Sequence, residues 1–320
     1  VTDVTSRQGR PGADRAGSVT VRVPAKVNLQ LSVGPPRADG YHDVVTVYHA
    51  VSLYDEVTVS PAERTSVTVT GEAGVPLGPA NLAVRAAGAL ARAAGLNDAG
   101  RVRIEIRKRI PVAAGLAGGS ADAAGALVAC NELWRAGASQ ADLAAIGAGL
   151  GSDVPFALAG GTAVGLGRGE RLTTALAAGS YHWVLAFGAA GLATPDVYAA
   201  CDRLRAARGL AVPAPALSAQ LMAALRSGDP AAVGPLLAND LQPAALSLRP
   251  LLRRTLAAGR ELGALGAIVS GSGPTCAFLA AGARAARELA VGITGAGVCR
   301  AVVQVTGPAP GASLVDGTAP

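Results

Sequence analysis

The stretch of this chain best suited to holding a ligand is Pro111-Val112-Ala113-Ala114-Gly115-Leu116-Ala117-Gly118-Gly119-Ser120-Ala121. It follows an alternating segment, Arg101–Arg107, that reads as a strand, and it enters a helical pattern running to Arg135. Small residues let a backbone close on a ligand, and the unpaired amides of a helix N-terminus present the positive end of its dipole. That device suits phosphate. In a chain with 42 glycines, a plain strand-to-helix turn is the competing reading. A second candidate is a cation. The chain has 26 arginines and two lysines, so a lysine that persists marks a place where a guanidinium does not substitute. Lys26 lies in Val23-Pro-Ala-Lys-Val-Asn-Leu29, among apolar strand residues, where a compact ammonium with three donors can be held near a ligand. Its alternative is a strand-end lysine with its head in solvent. Lys108, inside the basic cluster from Arg101 to Arg109, has no special context.

The elements that must position these groups are unevenly ordered. Ser18–Val23, Val27–Val33, Val44–Leu53, Glu56–Ser60 and Ser66–Thr70 read as strands, and a helix follows at about Asn81–Ala94. After the glycine loop come helices near Ser120–Arg135 and Gln140–Leu150, then strands at Gly161–Leu166 and His182–Phe187. From Thr194 the pattern is mostly helical, over Pro195–Ala207, Leu217–Ser227, Ala231–Ala238 and Arg249–Leu262. Late strands at Ala267–Ser270, Thr275–Leu279 and Val298–Val305 flank a helix near Ala283–Ala290. Strand runs followed by segregated helices indicate an α+β fold. The expected division is a disordered leader over 1–17, a β-rich N-terminal domain over 18–178, a C-terminal α/β domain over 179–306 and a flexible tail over 307–320.

Composition narrows the function. Half the residues are hydrophobic, which excludes a disordered chain. The net charge of +6 favours anionic ligands, but only 3% of residues are aromatic and there is no dense basic run, so no nucleic-acid partner is expected. Cys130, Cys201, Cys276 and Cys299 form no CxxC pair and read as buried thiols of a cytoplasmic protein. The uncharged stretches Leu172–Pro195 and Leu262–Ala283 are broken by turn residues, so no membrane partner is expected. A Walker A loop needs Gly-Lys-Ser/Thr, and neither lysine follows a glycine. Asp-Phe-Gly, His-Arg-Asp, HExxH and the full Gly-x-Ser-x-Gly frame are absent, and the loop does not spell Gly-x-Gly-x-x-Gly. What remains is a phosphate-type loop whose lysine must come from elsewhere.

Three separated segments, Pro24–Leu29, Pro111–Gly125 and Val269-Ser-Gly-Ser-Gly-Pro-Thr275, occur in an order that resembles the GHMP kinase superfamily. The likeness runs from about residue 18 to 306. It includes Arg37-Ala-Asp-Gly-Tyr-His-Asp43, Gly151-Ser-Asp-Val-Pro-Phe156, Gly160–Gly165, Gly167-Arg-Gly-Glu170 and Asn239-Asp-Leu241. The resemblance implies a two-domain α+β fold with ATP and substrate meeting in the cleft between the domains. It also implies a small-molecule kinase that phosphorylates the 2-hydroxyl of a CDP-linked methylerythritol, in non-mevalonate isoprenoid precursor synthesis, with ATP and Mg2+.

Under that likeness Lys26 and Asp153 become the catalytic pair, although Ser152-Asp-Val-Pro155 taken alone reads better as a helix cap or turn. Residues 111–121 would wrap the ATP phosphates, with Ser120 on a phosphate or the magnesium. Ser270–Pro274 would line the cleft nearby. Tyr41 and Tyr198 would sandwich a cytosine whose edge His42 reads, Asn28 would bind the polyol or a phosphate, and Thr194 would assist. Asp122 would interact favourably with the helix dipole and need not touch ligand, and His49 and His182 would be structural. Members of the family often carry glycine where this chain has Ala114 and Ala117. Alanine resists positive φ, so ordinary backbone angles are expected at both. A homoserine- or mevalonate-type kinase and a non-enzymatic RNA- or regulator-binding module are the alternatives, and the assembly expected is a monomer or weak homodimer.

Overall fold

Two long antiparallel strands, β1 (Val19–Pro36) and β2 (His42–Pro61), form the spine of the molecule in the computed structural model. The structure describes residues 17–96, 100–209 and 211–315; the expected leader, apart from Gly17, and the last five residues of the expected tail lie outside them. Each spine strand unites two segments that the sequence pattern separates. Pro24 has no N–H to give a ladder, and the pairing register shifts between Pro24 and Ala25, so the proline sits at a bulge and the strand continues. A second shift falls between Asn28 and Gln30. Bulges re-aim neighbouring side chains, and these two bracket Lys26 and Asn28.

β3 (Ser66–Thr70) lies parallel to β4 (Val102–Arg107), which pairs antiparallel with the far half of β2. β5 (Thr162–Leu166) pairs with the near half of β2, and β6 (Arg171–Thr174) pairs with β5. Four helices belong to this half: α1 (Leu82–Ala93), α2 (Gly118–Trp134), α3 (Gln140–Ala148) and α4 (Val154–Ala159). α2 is built from small residues for a reason. A Cβ added at Gly125 would come within 2.7 Å of Val57 and 3.0 Å of Val23, so this helix lies nearly backbone-on-sheet. That close approach fixes where its N-terminus, and the glycine loop before it, must sit.

The second sheet is antiparallel, in the order β11-β7-β10-β9, with β7 (Tyr181–Phe187), β9 (Gly266–Val269), β10 (Cys276–Ala280) and β11 (Ala301–Gly307). Around it are α5 (Thr194–Arg208), α6 (Ala219–Ser227), α7 (Pro230–Val233), α8 (Gln242–Leu248), α9 (Leu251–Glu261) and α10 (Ala283–Gly295). The helix expected over 231–238 shrinks to α7 and a 3-10 turn at Gly234–Leu236, because Ala238–Asn239 forms strand β8, parallel to β1. The short elements α4, α8 and β6 carry too few residues to show a period. Among the described residues, no helix is long and apolar enough to cross a membrane.

The expectation of a flexible tail is corrected for residues 307–315. Gly307 ends β11, the amide of Ala309 donates to Ala50 O at 2.9 Å, and β12 (Ser313–Leu314) pairs with Val21 and Arg22 of β1. The edge of β1 would otherwise leave ladder groups unpaired. The glycine and proline content that suggested looseness instead permits close approach: a Cβ at Gly311 would strike the backbone of Leu158 and Ala159.

His49 marks the seam between the sheets. It is fully buried on β2, its Nδ1 sits 2.8 Å from Thr162 Oγ1, and its ring lies 5.5 Å edge-on from Tyr181 and 6.0 Å from Trp183 on β7. Burial lowers its pKa from 6.5 to about 3. Above the unfolded value the ring is neutral in both states and pH has no effect through it. As pH falls from 6.5 towards 3, the unfolded chain takes up a proton that the fold refuses. Stability through this residue therefore drops by roughly 1.4 kcal/mol per pH unit across that window. Denaturant titrations between pH 7 and pH 4.5 should show wild type losing stability more steeply than His49→Gln; parallel curves would contradict this account.

Candidate active site

The glycine loop connects β4 to α2, and its carbonyl oxygens are engaged from outside the loop. Ala113 O accepts from Leu192 N (3.3 Å), Ala114 O from Thr275 N (3.4 Å), Gly115 O from Ser270 Oγ (3.1 Å) and Leu116 O from Lys26 N (3.3 Å). The first turn of α2 has no side-chain cap, so its opening amides keep their N–H groups free for a ligand. Ser120 lies in that turn and lines the cleft, as do Ala113, Ala114, Gly115, Ala117, Gly118 and Gly119. Pro111 and Val112 line a small neighbouring recess, and Leu116 and Ala121 are buried in the core. The loop path needs left-handed backbone at Ala113 (φ 50), Gly115 (φ 76) and Ala117 (φ 61). The expectation of ordinary angles therefore fails at Ala117, while Ala114 is not among the positive-φ residues. Alanine in this region costs about 1–2 kcal/mol, and the bonds just described hold it there. At Gly115 no alanine fits, since a Cβ would collide with Ser270 O.

Lys108 also departs from expectation. Its ammonium is buried, 2.5 Å from Asp55 Oδ2, 2.9 Å from Asp122 Oδ2 and 3.1 Å from Gly118 O. Asp55 Oδ1 in turn accepts from the amides of Arg109 (2.6 Å) and Ile110 (2.9 Å). One cation thus ties β2, the end of β4 and the first turn of α2 together, fixing both ends of the loop. Burial raises the Asp122 carboxyl above its usual range, with Lys108 opposing that shift. Asp122 lies just past the first turn of α2 and is an internal ion-pair partner, which the helix-dipole expectation did not include.

Across the cleft, Lys26 and Asn28 project from the same face of β1. Lys26 Nζ donates to Asn28 Oδ1 at 2.6 Å and lies 3.8 Å from Asp153 Oδ2. Asn28 Nδ2 donates to Thr46 Oγ1 at 2.7 Å, so both ends of this amide are occupied and Asn28 orients Lys26. Asp153 stands at the N-cap position of α4 but makes no capping bond. Its Oδ1 accepts instead from Tyr48 OH at 2.8 Å. Burial lowers the pKa of Lys26 and the Asp153 charge opposes the shift, while Tyr48 is held well above its usual value by burial and then by Asp153. Tyr48 was missed from the sequence. Its signal was its cross-strand register with Asn28, which exists only once β1 and β2 pair.

The second glycine turn closes the cleft floor. Gly271 and Ser272 line it, and Asn239 Nδ2 holds the turn through Val269 O and Gly271 O, each at 2.7 Å. Thr194 Oγ1 lies 3.0 Å from Ser272 Oγ. Beside the cleft is a larger cavity of about 710 Å³ lined by Tyr41, His42 and Tyr198 among others. The His42 ring is 5.0 Å from that of Tyr198, and its Nε2 lies 3.0 Å from Asp202 Oδ1 on α5. Asp202, which the sequence did not single out, fixes the imidazole and leaves Nδ1 as its other hydrogen-bonding atom. Tyr41 is 54% exposed at the mouth. Among the described residues, no group of three or more His, Cys, Asp or Glu side chains is placed to hold a metal ion.

Residues 81–161 match the model for the GHMP kinases N terminal domain and residues 221–298 that for the GHMP kinases C terminal domain. The chain is 58% identical over 301 residues to 4-diphosphocytidyl-2-C-methyl-D-erythritol kinase of Mycolicibacterium smegmatis, covering 93% of both chains. It is 56% identical over 302 residues to the kinase of the same name from Streptomyces coelicolor, covering 93% of this chain and all of the relative. A crystal structure of 4-(cytidine 5'-diphospho)-2C-methyl-D-erythritol kinase superposes with a TM-score of 0.73 at 36% identity, over 89% of this chain and 98% of the other. Homoserine kinase from Cytophaga hutchinsonii, at 18% identity and TM-score 0.69 over 96% of this chain and all of that one, shares the fold.

Two stability measurements check the loop's supports. Lys108→Met leaves two buried carboxylates unpaired and should cost about 3–5 kcal/mol in urea denaturation; a loss below about 1 kcal/mol, the scale of an exposed pair, would mean the knot carries little. Ala117→Gly should raise the unfolding free energy by up to about 1 kcal/mol, whereas Ala114→Gly should lower it by a similar amount. The opposite order would show that Ala117 is unstrained.

Proposed function

The chain belongs to the 4-diphosphocytidyl-2-C-methyl-D-erythritol kinases of the GHMP kinase family, and we infer that it transfers the γ-phosphoryl group of ATP to the 2-hydroxyl of this CDP-linked polyol. The products are the 2-phosphate and ADP, and the step lies in non-mevalonate isoprenoid precursor synthesis in the cytoplasm. One observation supports the reading above all. A base-sized aromatic cavity opens onto the cleft where Lys26 and Asp153 face the glycine loop.

Phosphoryl transfer asks for alignment and charge stabilisation more than for covalent help. Asp153 accepts the proton of the 2-hydroxyl, or orients that hydroxyl, through Oδ2, because Oδ1 is held by Tyr48. Lys26 keeps Asp153 ionised and stabilises charge on the attacking oxygen and the transferred group. A bond to Asn28 and the ion pair with Asp153 aim its buried ammonium at the wall of the cleft. The opening amides of α2 and the loop hold the nucleotide phosphates, and Tyr41, Tyr198 and His42 take the cytosine. Magnesium binds phosphate substrates through one or two protein oxygens and keeps several waters. Ser120 suits that sparse donor set, and the ion would neutralise phosphate charge when bound. A homoserine or mevalonate substrate leaves the aromatic cavity without a role.

Asp153→Asn and Lys26→Ala should each lower kcat by about 100-fold or more in a coupled ADP assay. Near-wild-type turnover in either would refute the assigned roles. Offered homoserine, mevalonate and the CDP-linked polyol, the wild type should phosphorylate only the last, and a preference for either small alcohol would overturn the substrate assignment.

A further inference from the structure

Resting on that reading of the substrate, the geometry points to Arg168 as the side chain that binds the diphosphate bridge and makes the enzyme select a nucleoside diphosphate derivative. The aromatic cavity and the catalytic cleft, the latter about 320 Å³, share five lining residues: Val44, Ser152, Arg168, Thr194 and Tyr198. Of these only Arg168 is charged. A substrate with its base beside Tyr41 and its reacting hydroxyl at Asp153 must lay its diphosphate across this junction. Arg85, the other arginine of the larger cavity, does not line the cleft.

The turn bearing Arg168 is built to present that one side chain. It joins β5 to β6 and is clamped to β2 by Val44 N donating to Gly167 O at 2.7 Å. Gly167 (φ 74) and Gly169 (φ 108) are both left-handed, and a Cβ at Gly169 would collide with Tyr48 OH, the group that holds Asp153. The flanking positions therefore carry no side chains, and the turn presses on the catalytic pair's own support. Glu170, the nearest acid in sequence, accepts from the Arg168 backbone amide at 2.7 Å. Among the described residues the guanidinium has one partner, the Tyr41 ring, with Cζ 5.1 Å from its centroid. An exposed guanidinium without a carboxylate, stacked on the ring that receives the base, is a cation kept for an incoming anion, and its planar donor fork matches phosphate oxygens.

Calorimetric titration of CDP and of cytidine into wild type, Arg168→Gln and Arg168→Lys separates the diphosphate from the base. In Arg168→Gln, CDP should bind about 10- to 100-fold more weakly, the loss expected for hydrogen bonds to a charged group. Cytidine should stay within about 2-fold of wild type, since it carries no charge to this junction. Arg168→Lys should recover part of the CDP affinity through its charge but not its fork. The KM for the CDP-linked polyol should rise in step with the CDP dissociation constant. Equal weakening of CDP and cytidine would overturn the assignment, because Arg168 would then act only by bracing Tyr41; so would unchanged CDP binding in Arg168→Gln. Wild-type turnover of the CDP-linked polyol is the separate check on the kinase reading, and the two titrations decide for Arg168 whichever way it falls.

Discussion

The site depends on one buried cation. Lys108 is enclosed between Asp55 on β2 and Asp122 on α2, and Asp55 also holds the amides that lead into the glycine loop. A charge removed from water is tolerated only when its partners are in place. The cluster therefore acts as an all-or-none tie among two strands and a helix. With both ends fixed in this way, the loop's remaining freedom is taken up by bonds to its carbonyls from Lys26, Leu192, Ser270 and Thr275. Three of those four donors come from the second half of the chain, so the phosphate-type loop is completed by the packing of that half against the first.

That dependence explains how two alanines adopt backbone angles they disfavour. Ala113 and Ala117 are left-handed although glycine would be cheaper. Strain of this kind persists where the surroundings over-determine a conformation, and here both loop ends and the intervening carbonyls are fixed independently. The same logic applies across the cleft. Lys26 is aimed by Asn28, Asn28 by Thr46, and Asp153 by Tyr48. Lys26 and Asp153 are thus each oriented by a neighbouring side chain, so the proposed transfer needs little rearrangement of the protein.

Recognition is arranged on different principles from chemistry. The aromatic cavity uses rings on the β1–β2 turn and on α5, one of them, Tyr41, half-exposed. His42, proposed to read the base edge, is fixed by Asp202 from α5. In the proposed binding mode Arg168 stands between base and reacting hydroxyl, on a turn whose glycines let it lie against Tyr48. The Tyr48 support of Asp153 and the turn bearing Arg168 are thus one structural unit, which in the proposed reading links selectivity to alignment.

The sequence by itself determined the local devices. The strand–loop–helix order gave a phosphate-type loop, the scarcity of lysine pointed to Lys26, and the motifs carrying the GHMP likeness led to Asp153, Tyr41, His42 and Tyr198. Those signals are local because they rest on residue type, on period and on short-range backbone geometry. Tertiary structure decided what each device touches. It made Lys108 an internal anchor where sequence offered only a basic run. It gave Asn28, expected as a ligand group and lining the cleft, a bond to Lys26, and it supplied Tyr48 and Asp202. It also bound residues 307–315, read as a tail, to the edge of β1. The physical reason is common to all of these. The buried charge of Lys108, the amide of Asn28 and the edge of β1 each take a partner, in Asp55, Thr46 and Leu314, that lies well outside the local stretch of chain carrying the sequence signal.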